Sequence, residues 1–247
     1  MPTGYCTVDD LRRALKAANL PGDVSQDREI AIKAITSQTD WLERTTARHW
    51  YVPERPEEDA DDELLPTTTQ TRDDEHDIPT GGVHMVGEPA EPKTWQGSYT
   101  KLRLERKDVQ QVTTLLVRGE DGYEDWVESD DYDGGSWPDA LGDDYYLRIN
   151  NKGWTELYLD VDNLYDETED EFVLESFANA VYVEIEYGHE GIPDAIRQAV
   201  AMRAAAQLLN DDETELGIPD EGGLVNPETK IQTLERQAEE LLENHVA

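Results

Sequence analysis

The stretch VYVEIEYGHEGIPDAIRQAVAMRAAAQLL, residues 181–209, contains the change of periodicity that determines the fold class. In its first part apolar residues alternate with polar ones, which places Val181, Val183 and Ile185 on one face of a strand. Pro193 and Asp194 are typical of the first turn of a helix. Apolar residues then recur at helical spacing, at Ile196, Val200, Ala204 and Leu208. The stretch predicts a half-buried strand that runs into an amphipathic helix.

The residues before this stretch predict an antiparallel sheet. Segments 93–187 contain short apolar runs separated by Gly, Asn and Asp clusters, which are turn signals. The predicted strands are Tyr99 to Leu104, Val109 to Val117, Trp126 to Glu128, Tyr145 to Asn150, Glu156 to Asp160 and Val181 to Tyr187.

The N-terminal residues predict an antiparallel helical hairpin. Thr7 can act as an N-cap with Asp10 three positions later, and a helix follows to about residue 18. Residues 19–23 contain Pro and Gly and form the predicted turn. A longer helix then covers about residues 26–48, before the aromatic cluster His49-Trp50-Tyr51.

Two further segments complete the predicted organisation. Residues 54–92 are acidic and rich in Pro and Thr, which predicts a long loop or an arm on a neighbouring subunit, with one short strand at Val83 to Val86. Near the C-terminus, Asn226 can cap a last helix that begins at Pro227. We therefore predict an α+β fold, an α-helical bundle with a β-rich antiparallel insertion, divided into residues 1–53, 54–92, 93–188 and 189–247.

The charge of the chain is strongly negative. It has 57 Asp and Glu against 21 Lys and Arg, a formal net charge of −36. This charge excludes capture of nucleic acid phosphates by the whole surface. Such a surface is typical of proteins that work in molar salt, where the screening length is roughly 3 Å. Residues 1–55 carry eight acids and eight bases, so we expect this neutral segment to be covered by the fold or by a partner.

The sequence contains no motif that carries a catalytic mechanism. The five histidines lack ligand spacing, and His189 is interpreted as a turn or cap residue. Residues 129–134 have acids in an EF-hand-like order, but Ala140 stands where the closing Glu is needed. Cys6 is the single cysteine, so no disulfide within the chain can form. We predict no catalytic residues, no cofactor and no metal.

The chain also contains no run of about 18 apolar residues, and its N-terminal residues lack the apolar stretch of a signal peptide. We therefore expect a soluble protein made inside the cell, with no membrane partner.

Five segments, in this order, resemble the head–tail adaptor (connector) proteins of long-tailed phages. They are TVDDLRRAL at 7–15, AIKAITSQTDWLERTTARHWY at 31–51, VTTLLVRGEDG at 112–122, DDYYLRINNKGW at 143–154 and the stretch at 181–209. Residues 54–92 and the last helix are longer than the smaller family members have. With the halophilic charge, the resemblance implies a tailed virus of a haloarchaeon.

The resemblance implies a structural virion protein rather than an enzyme. Members of this family form a ring, typically dodecameric, that docks on the portal and binds a stopper or tail-completion protein below. Viral DNA passes through the centre without sequence-specific binding. The expected location is the virion neck, at the head–tail junction, after assembly in the host cytoplasm.

The resemblance also suggests two sets of contact residues. The C-terminal segment is expected to reach the portal, through Ile218, Leu224, Val225, Ile231, Leu234, Ala238, Leu241 and Leu242. Packing of the same residues inside their own chain is the alternative. Contacts between subunits are expected on the neutral hairpin, at Arg28, Arg44, Arg48, Trp50 and Tyr51.

Two other functions compete with the adaptor. One is a different ring component of the neck or tail, such as a stopper or tail terminator, although those proteins are usually shorter and dominated by β-structure. The other is a halophilic enzyme with a carboxylate acid–base pair in its sheet.

Overall fold

The computed structural model describes residues 4–15, 24–53, 68, 70–78, 99–119, 121–166, 170–173, 180–210 and 227–246. The chain divides into two compact units. Met1–Gln70 and His189–Ala247 together form the helical unit, and Thr71–Gly188 form the sheet unit. The sheet unit is thus continuous in sequence and separates the two parts of the helical unit. The predicted α+β class is confirmed.

The elements follow the predicted order closely. The helices are α1 (Val8–Leu15), α2 (Val24–Thr46), α3 (Asp194–Asn210) and α4 (Pro227–Val246). The strands are β1 (Trp50–Tyr51), β2 (Arg72–Ile78), β3 (Tyr99–Lys107), β4 (Val109–Gly119), β5 (Gly122–Asp125), β6 (Gly135–Ser136), β7 (Ala140–Leu141), β8 (Tyr145–Ile149), β9 (Trp154–Asp160), β10 (Tyr165–Asp166), β11 (Glu171–Phe172), β12 (Val181–Tyr187) and β13 (His189–Glu190). A 3₁₀ turn lies at Asp162–Leu164.

Helix α3 is the central element of the helical unit. It packs against α1, α2 and α4, and α1 and α2 contact α3 more extensively than they contact each other. Ala199, Ala204 and Ala205 of α3 have no exposed surface. Their small side chains let the neighbouring helices come close to the α3 backbone, so the apolar faces of all four helices share one core.

The start of α1 is capped as predicted. The backbone N–H of Asp10 donates to Thr7 Oγ1 at 2.9 Å, and the backbone N–H of Thr7 donates to Asp10 Oδ2 at 3.0 Å. The same Asp10 oxygen also accepts a hydrogen bond of 2.6 Å from Nε of Arg197, in α3. One carboxylate therefore caps α1 and ties it to α3.

The two largest sheets of the sheet unit are antiparallel, and β6-β7 and β10-β11 form two further two-stranded sheets in the described residues. The four-stranded sheet has the order β2-β12-β4-β5, and the three-stranded sheet has the order β3-β9-β8. The predicted alternation in β12 is confirmed, because Val181, Val183 and Ile185 are buried. Buried residues of both sheets, such as Leu102 and Leu157 of one and Val183 of the other, belong to one hydrophobic core.

Two sequence-based expectations for this unit are wrong. The predicted strand at Trp126–Glu128 lies in a turn, and the strand is Gly122–Asp125 just before it. Strand β2 lies inside segment 54–92, where we expected a loop or arm, and it pairs with β12 along its whole length. Its sequence RDDEHDI lacks an apolar face because backbone hydrogen bonds to one neighbour suffice for an edge strand. The predicted strand at 83–86 is outside the described residues.

Among the described helices, none is both long and apolar enough to cross a lipid bilayer.

Replacing Asp10 with Asn should give a pH-dependent loss of stability. Burial raises the Asp10 pKa, but the hydrogen bonds from Arg197 and Thr7 outweigh burial and leave that pKa below its ordinary 3.8. Because the folded-state pKa is lowered, ionised Asp10 contributes fully to the free energy of unfolding above a pH of about 3.8. That contribution is lost as the pH falls through the folded-state pKa.

Denaturant unfolding at constant salt checks this prediction. We expect the stability difference between wild type and Asp10→Asn to shrink as the pH is lowered below about 3.8. Asp9→Asn is the matched control, since the Asp9 side chain is 48% exposed. A difference for Asp10→Asn that stays constant with pH would contradict the assigned role.

Candidate functional site

A buried polar network joins the N-terminal residues to the end of α2. Glu43 lies in the last turn of α2, and Ala47, with a φ of 54°, turns the chain back directly after the helix. His49 then places Nδ1 2.7 Å from Glu43 Oε1. The hydroxyl of Tyr5 donates to the same Glu43 oxygen and accepts the backbone N–H of Trp50 at 3.0 Å.

The partners of His49 determine where its ring carries hydrogen. Nε2 lies 2.8 Å from the carbonyl oxygen of Gln70, which can only accept, so Nε2 carries a hydrogen. Nδ1 lies within hydrogen-bond distance of both Glu43 Oε1 and the Tyr5 hydroxyl, so the three side chains form one buried polar cluster.

This network positions the backbone and is closed to substrates. His49 has no exposed surface and Glu43 is 5% exposed, so neither side chain can reach a substrate in this fold. The network instead fixes β1, which pairs in parallel with β13. His189, predicted in a turn, lies in β13 with an exposed side chain, and its backbone N–H donates to the carbonyl of His49 at 2.8 Å.

The predicted subunit-contact residues occupy different environments. Trp50 is 1% exposed and packs edge-on against the Tyr5 ring, so it belongs to the core of its own unit rather than to a surface, which corrects that part of the prediction. Arg48 lies over the Trp50 ring, and Tyr51 is half-buried and stacks on His49. Arg28 is also half-buried, whereas Arg44 is exposed.

Arg44 lines a surface groove of about 550 Å³ along α2. The lining residues recur at helical spacing, which places them on one face: Glu29, Ile32, Lys33, Thr36, Ser37, Asp40 and Arg44. Two acids and two bases make this groove neutral in a chain of net charge −36. Ile32 lines the groove as a half-buried side chain that also packs against the helical core. A neutral groove in a strongly acidic chain is a candidate for contact with a protein partner.

The C-terminal residues predicted to bind the portal pack within the helical unit where they are described. Leu234, Ala238 and Leu242 are buried in the core, and Ile231 and Leu241 are packed against it. These five side chains are used in folding of their own chain, which corrects their expected exposure to a partner. Ile218, Leu224 and Val225 lie outside the described residues.

The EF-hand-like acids act as turn-forming groups. Asp133 accepts the backbone N–H of Gly135 at 2.8 Å, and Asp144 accepts the backbone N–H of Asp133 at 2.6 Å. Within the described ranges, no three His, Cys, Asp or Glu side chains come close enough to hold a metal ion. Cys6 is buried, and burial raises the pKa of its thiol.

Comparisons of the chain with protein-family models, with curated proteins and with solved structures find no match. The assignment of function therefore depends on the order of the two units along the chain and on the surface of each unit.

Glu43→Gln should destabilise the helical unit. Gln keeps one acceptor oxygen for Tyr5 and His49 but places an amide NH₂ in a buried position where Glu43 has a carboxyl oxygen. We expect a loss of about 1–3 kcal/mol in the free energy of unfolding, measured by denaturant titration.

Glu29→Gln is the matched control, because Glu29 lies in the same helix with an exposed side chain. It should change the stability by less than about 0.5 kcal/mol. Equal effects of the two substitutions would show that the buried network contributes nothing specific.

Proposed function

We propose that this protein is a head–tail adaptor of a tailed virus of a halophilic archaeon. In this function it forms a ring, dodecameric by analogy with the family, that docks on the portal and links the capsid to the tail. The observation that carries the proposal is the discontinuous helical unit, built from both ends of the chain around a continuous sheet unit. The adaptor layout has the same order, a helical bundle interrupted by a β-rich insertion.

The distribution of charge supports a ring that contains DNA. A channel wall rich in carboxylates repels duplex phosphates, so DNA slides through without adhering. The same carboxylates keep the protein hydrated in molar salt, where their mutual repulsion acts over roughly 3 Å. Adaptation to high salt alone also produces this charge. The acidity therefore supports a halophilic source and is not specific to a DNA channel.

The groove along α2 supports contact between neighbouring subunits. Each subunit of a ring needs two different faces, one for each neighbour. The groove is neutral and contains Lys33 and Arg44, which can meet carboxylates of the next copy. Because exposed ion pairs contribute only about 0–1 kcal/mol each, buried apolar area around Ile32 must supply most of the stability of such a contact.

The alternatives differ from the adaptor in features that can be measured. A stopper or tail terminator would form a ring that binds the tail side and not the portal. The four helices of the helical unit favour the adaptor over these β-dominated proteins. A halophilic enzyme would show a turnover that one of two specific carboxylates abolishes.

The test is the mass in solution, measured by light scattering in molar salt, of the chain alone and mixed with the portal of the same virus. At low protein concentration we expect mostly small species for the chain alone, and a complex with many copies of the chain when the portal is added. A chain whose mass is indifferent to the portal would contradict the proposal.

Lys33→Glu/Arg44→Glu tests the groove in the same assay. We expect this variant to bind fewer copies per portal, because both groove cations become negative. Arg12→Glu/Arg13→Glu is the matched control with the same change in charge, made on exposed positions of α1. Equal loss of copies in both variants would assign the effect to net charge and remove the groove from the contact.

A further inference from the structure

The two larger sheets of the sheet unit have separate outer faces, each turned away from the core that the sheets share. Their inner faces share one hydrophobic core, and side chains alternate along each strand, so every second residue points away from that core. On the three-stranded sheet these outward residues include Lys101, Arg103 and Arg148. On the four-stranded sheet they include two residues from β2 and two from β12, all of them acidic: Asp73, Glu75, Glu184 and Glu186.

The three-stranded outer face gathers cations in a chain that has few. Arg103 of β3 and Arg148 of β8 are both directly opposite Glu156 of β9, so the three residues form one row across the sheet. Lys101 Nζ lies 2.9 Å from Glu156 Oε1, so the Glu156 carboxylate forms its ion pair with Lys101. In the part of the chain that the structure describes, neither Arg103 nor Arg148 forms an ion pair, although both are exposed and acids outnumber bases 57 to 21.

Aromatic side chains pack beside the cations on the three-stranded outer face. The guanidinium carbon of Arg103 lies 3.9 Å from the centre of the Trp154 ring, a cation–π contact that fixes the arginine against the sheet. Tyr146 and Tyr158 stack on adjacent strands with ring centres 4.8 Å apart. Glu105 and Asp160 lie on the same face at its two ends, so the cations occupy the middle rows.

The part of the four-stranded outer face formed by β2 and β12 is acidic, whereas β4 adds Arg118 on the same side of the sheet. Asp73 is directly opposite Glu186, and Glu75 is directly opposite Glu184. Like charges in such positions destabilise a sheet. Hydroxyl groups donate to these acids, with Thr114 Oγ1 2.8 Å from Glu184 Oε2 and Tyr182 OH 2.9 Å from Glu75 Oε2. Within the described residues, none of the four carboxylates forms an ion pair.

We propose that the three-stranded outer face of one copy docks on the four-stranded outer face of the next copy. Arg103 and Arg148 then meet carboxylates of the neighbour as bidentate pairs, and the like-charge repulsion between β2 and β12 is relieved. The occupant is a second copy of this chain because the two faces are complementary in charge and belong to the same unit. The inference rests on the proposed ring and specifies one of its contacts.

The proposed contact determines how copies of the chain would assemble. A contact between two different faces of the same chain is a head-to-tail interface, which repeats from copy to copy. Such an interface closes into a ring when the rotation between copies is a fraction of a full turn, and it gives an open filament otherwise. The sheet unit can therefore supply a contact that repeats between neighbouring copies of a ring.

A charge-swap experiment tests the proposal without the portal. Arg103→Glu/Arg148→Glu reverses one face, and Asp73→Arg/Glu75→Arg reverses the other. Each variant alone should self-associate about tenfold or more weakly than wild type in a concentration series followed by sedimentation velocity. An equal mixture of the two variants, and a chain that carries all four substitutions, should regain the association of wild type because the faces are complementary again.

The controls separate this result from misfolding and from net charge. Circular dichroism and the unfolding midpoint check that each variant folds, and recovery in the mixture shows that both do. Arg12→Glu/Arg236→Glu makes the same change of charge on exposed helix positions, and it should associate as wild type does. Association unaffected by either face variant, or a mixture of folded variants that does not associate, would overturn the proposal.

A last measurement tests whether the three-stranded outer face binds nucleic acid instead of a second copy. Arginines beside aromatic rings can also bind single-stranded nucleic acid, so a labelled oligothymidylate is added to wild type and to Arg103→Glu/Arg148→Glu. Binding that only wild type shows, together with unchanged self-association, would overturn the proposal. Because the portal takes no part in these measurements, failure of this inference and failure of the adaptor function remain distinguishable.

Discussion

Both units depend on the buried apolar side chains of one continuous segment, residues 181–208. Strand β12 supplies Val181, Val183 and Ile185 to the core of the sheet unit, and it pairs with β2 on one side and β4 on the other. Directly afterwards α3 supplies the central face of the helical unit. Burial of apolar surface contributes roughly 25 cal/mol per Å² to the free energy of unfolding, so the loss of these side chains would destabilise both cores.

The sequence predicts best where periodicity is local and apolar. The alternation of β12, the capping box of α1 and the strands of the three-stranded sheet follow from residues near one another in the chain, and the structure has them. Strand β2 could not be recognised because its pairing depends on backbone hydrogen bonds to a strand more than a hundred residues away. For the same reason Trp50 was expected on a surface, whereas Tyr5 and the returning α4 enclose it.

The functional surfaces were harder to predict than the elements. A row such as Arg103, Glu156 and Arg148 exists only after three strands align in register, and these residues are up to 53 positions apart. The sequence TKLRLERK does contain a signal, because Lys101 and Arg103 alternate with buried Thr100 and Leu102. The buried pair of Glu43 and His49 likewise depends on the turn at Ala47, where a non-glycine residue has a positive φ.

A chain with 36 excess negative charges must associate with copies of itself against their mutual repulsion. At low ionic strength that repulsion extends over tens of ångströms and opposes any approach of two copies. In molar salt the screening length of roughly 3 Å is close to the length of a hydrogen bond, so distant charges are hardly felt. Arginine–carboxylate pairs in direct contact retain more of their attraction because they exclude the screening ions. Concentrated salt therefore weakens the general repulsion between copies more than it weakens the direct arginine–carboxylate contacts. This difference favours the one alignment in which the three-stranded outer face meets the four-stranded outer face of the next copy.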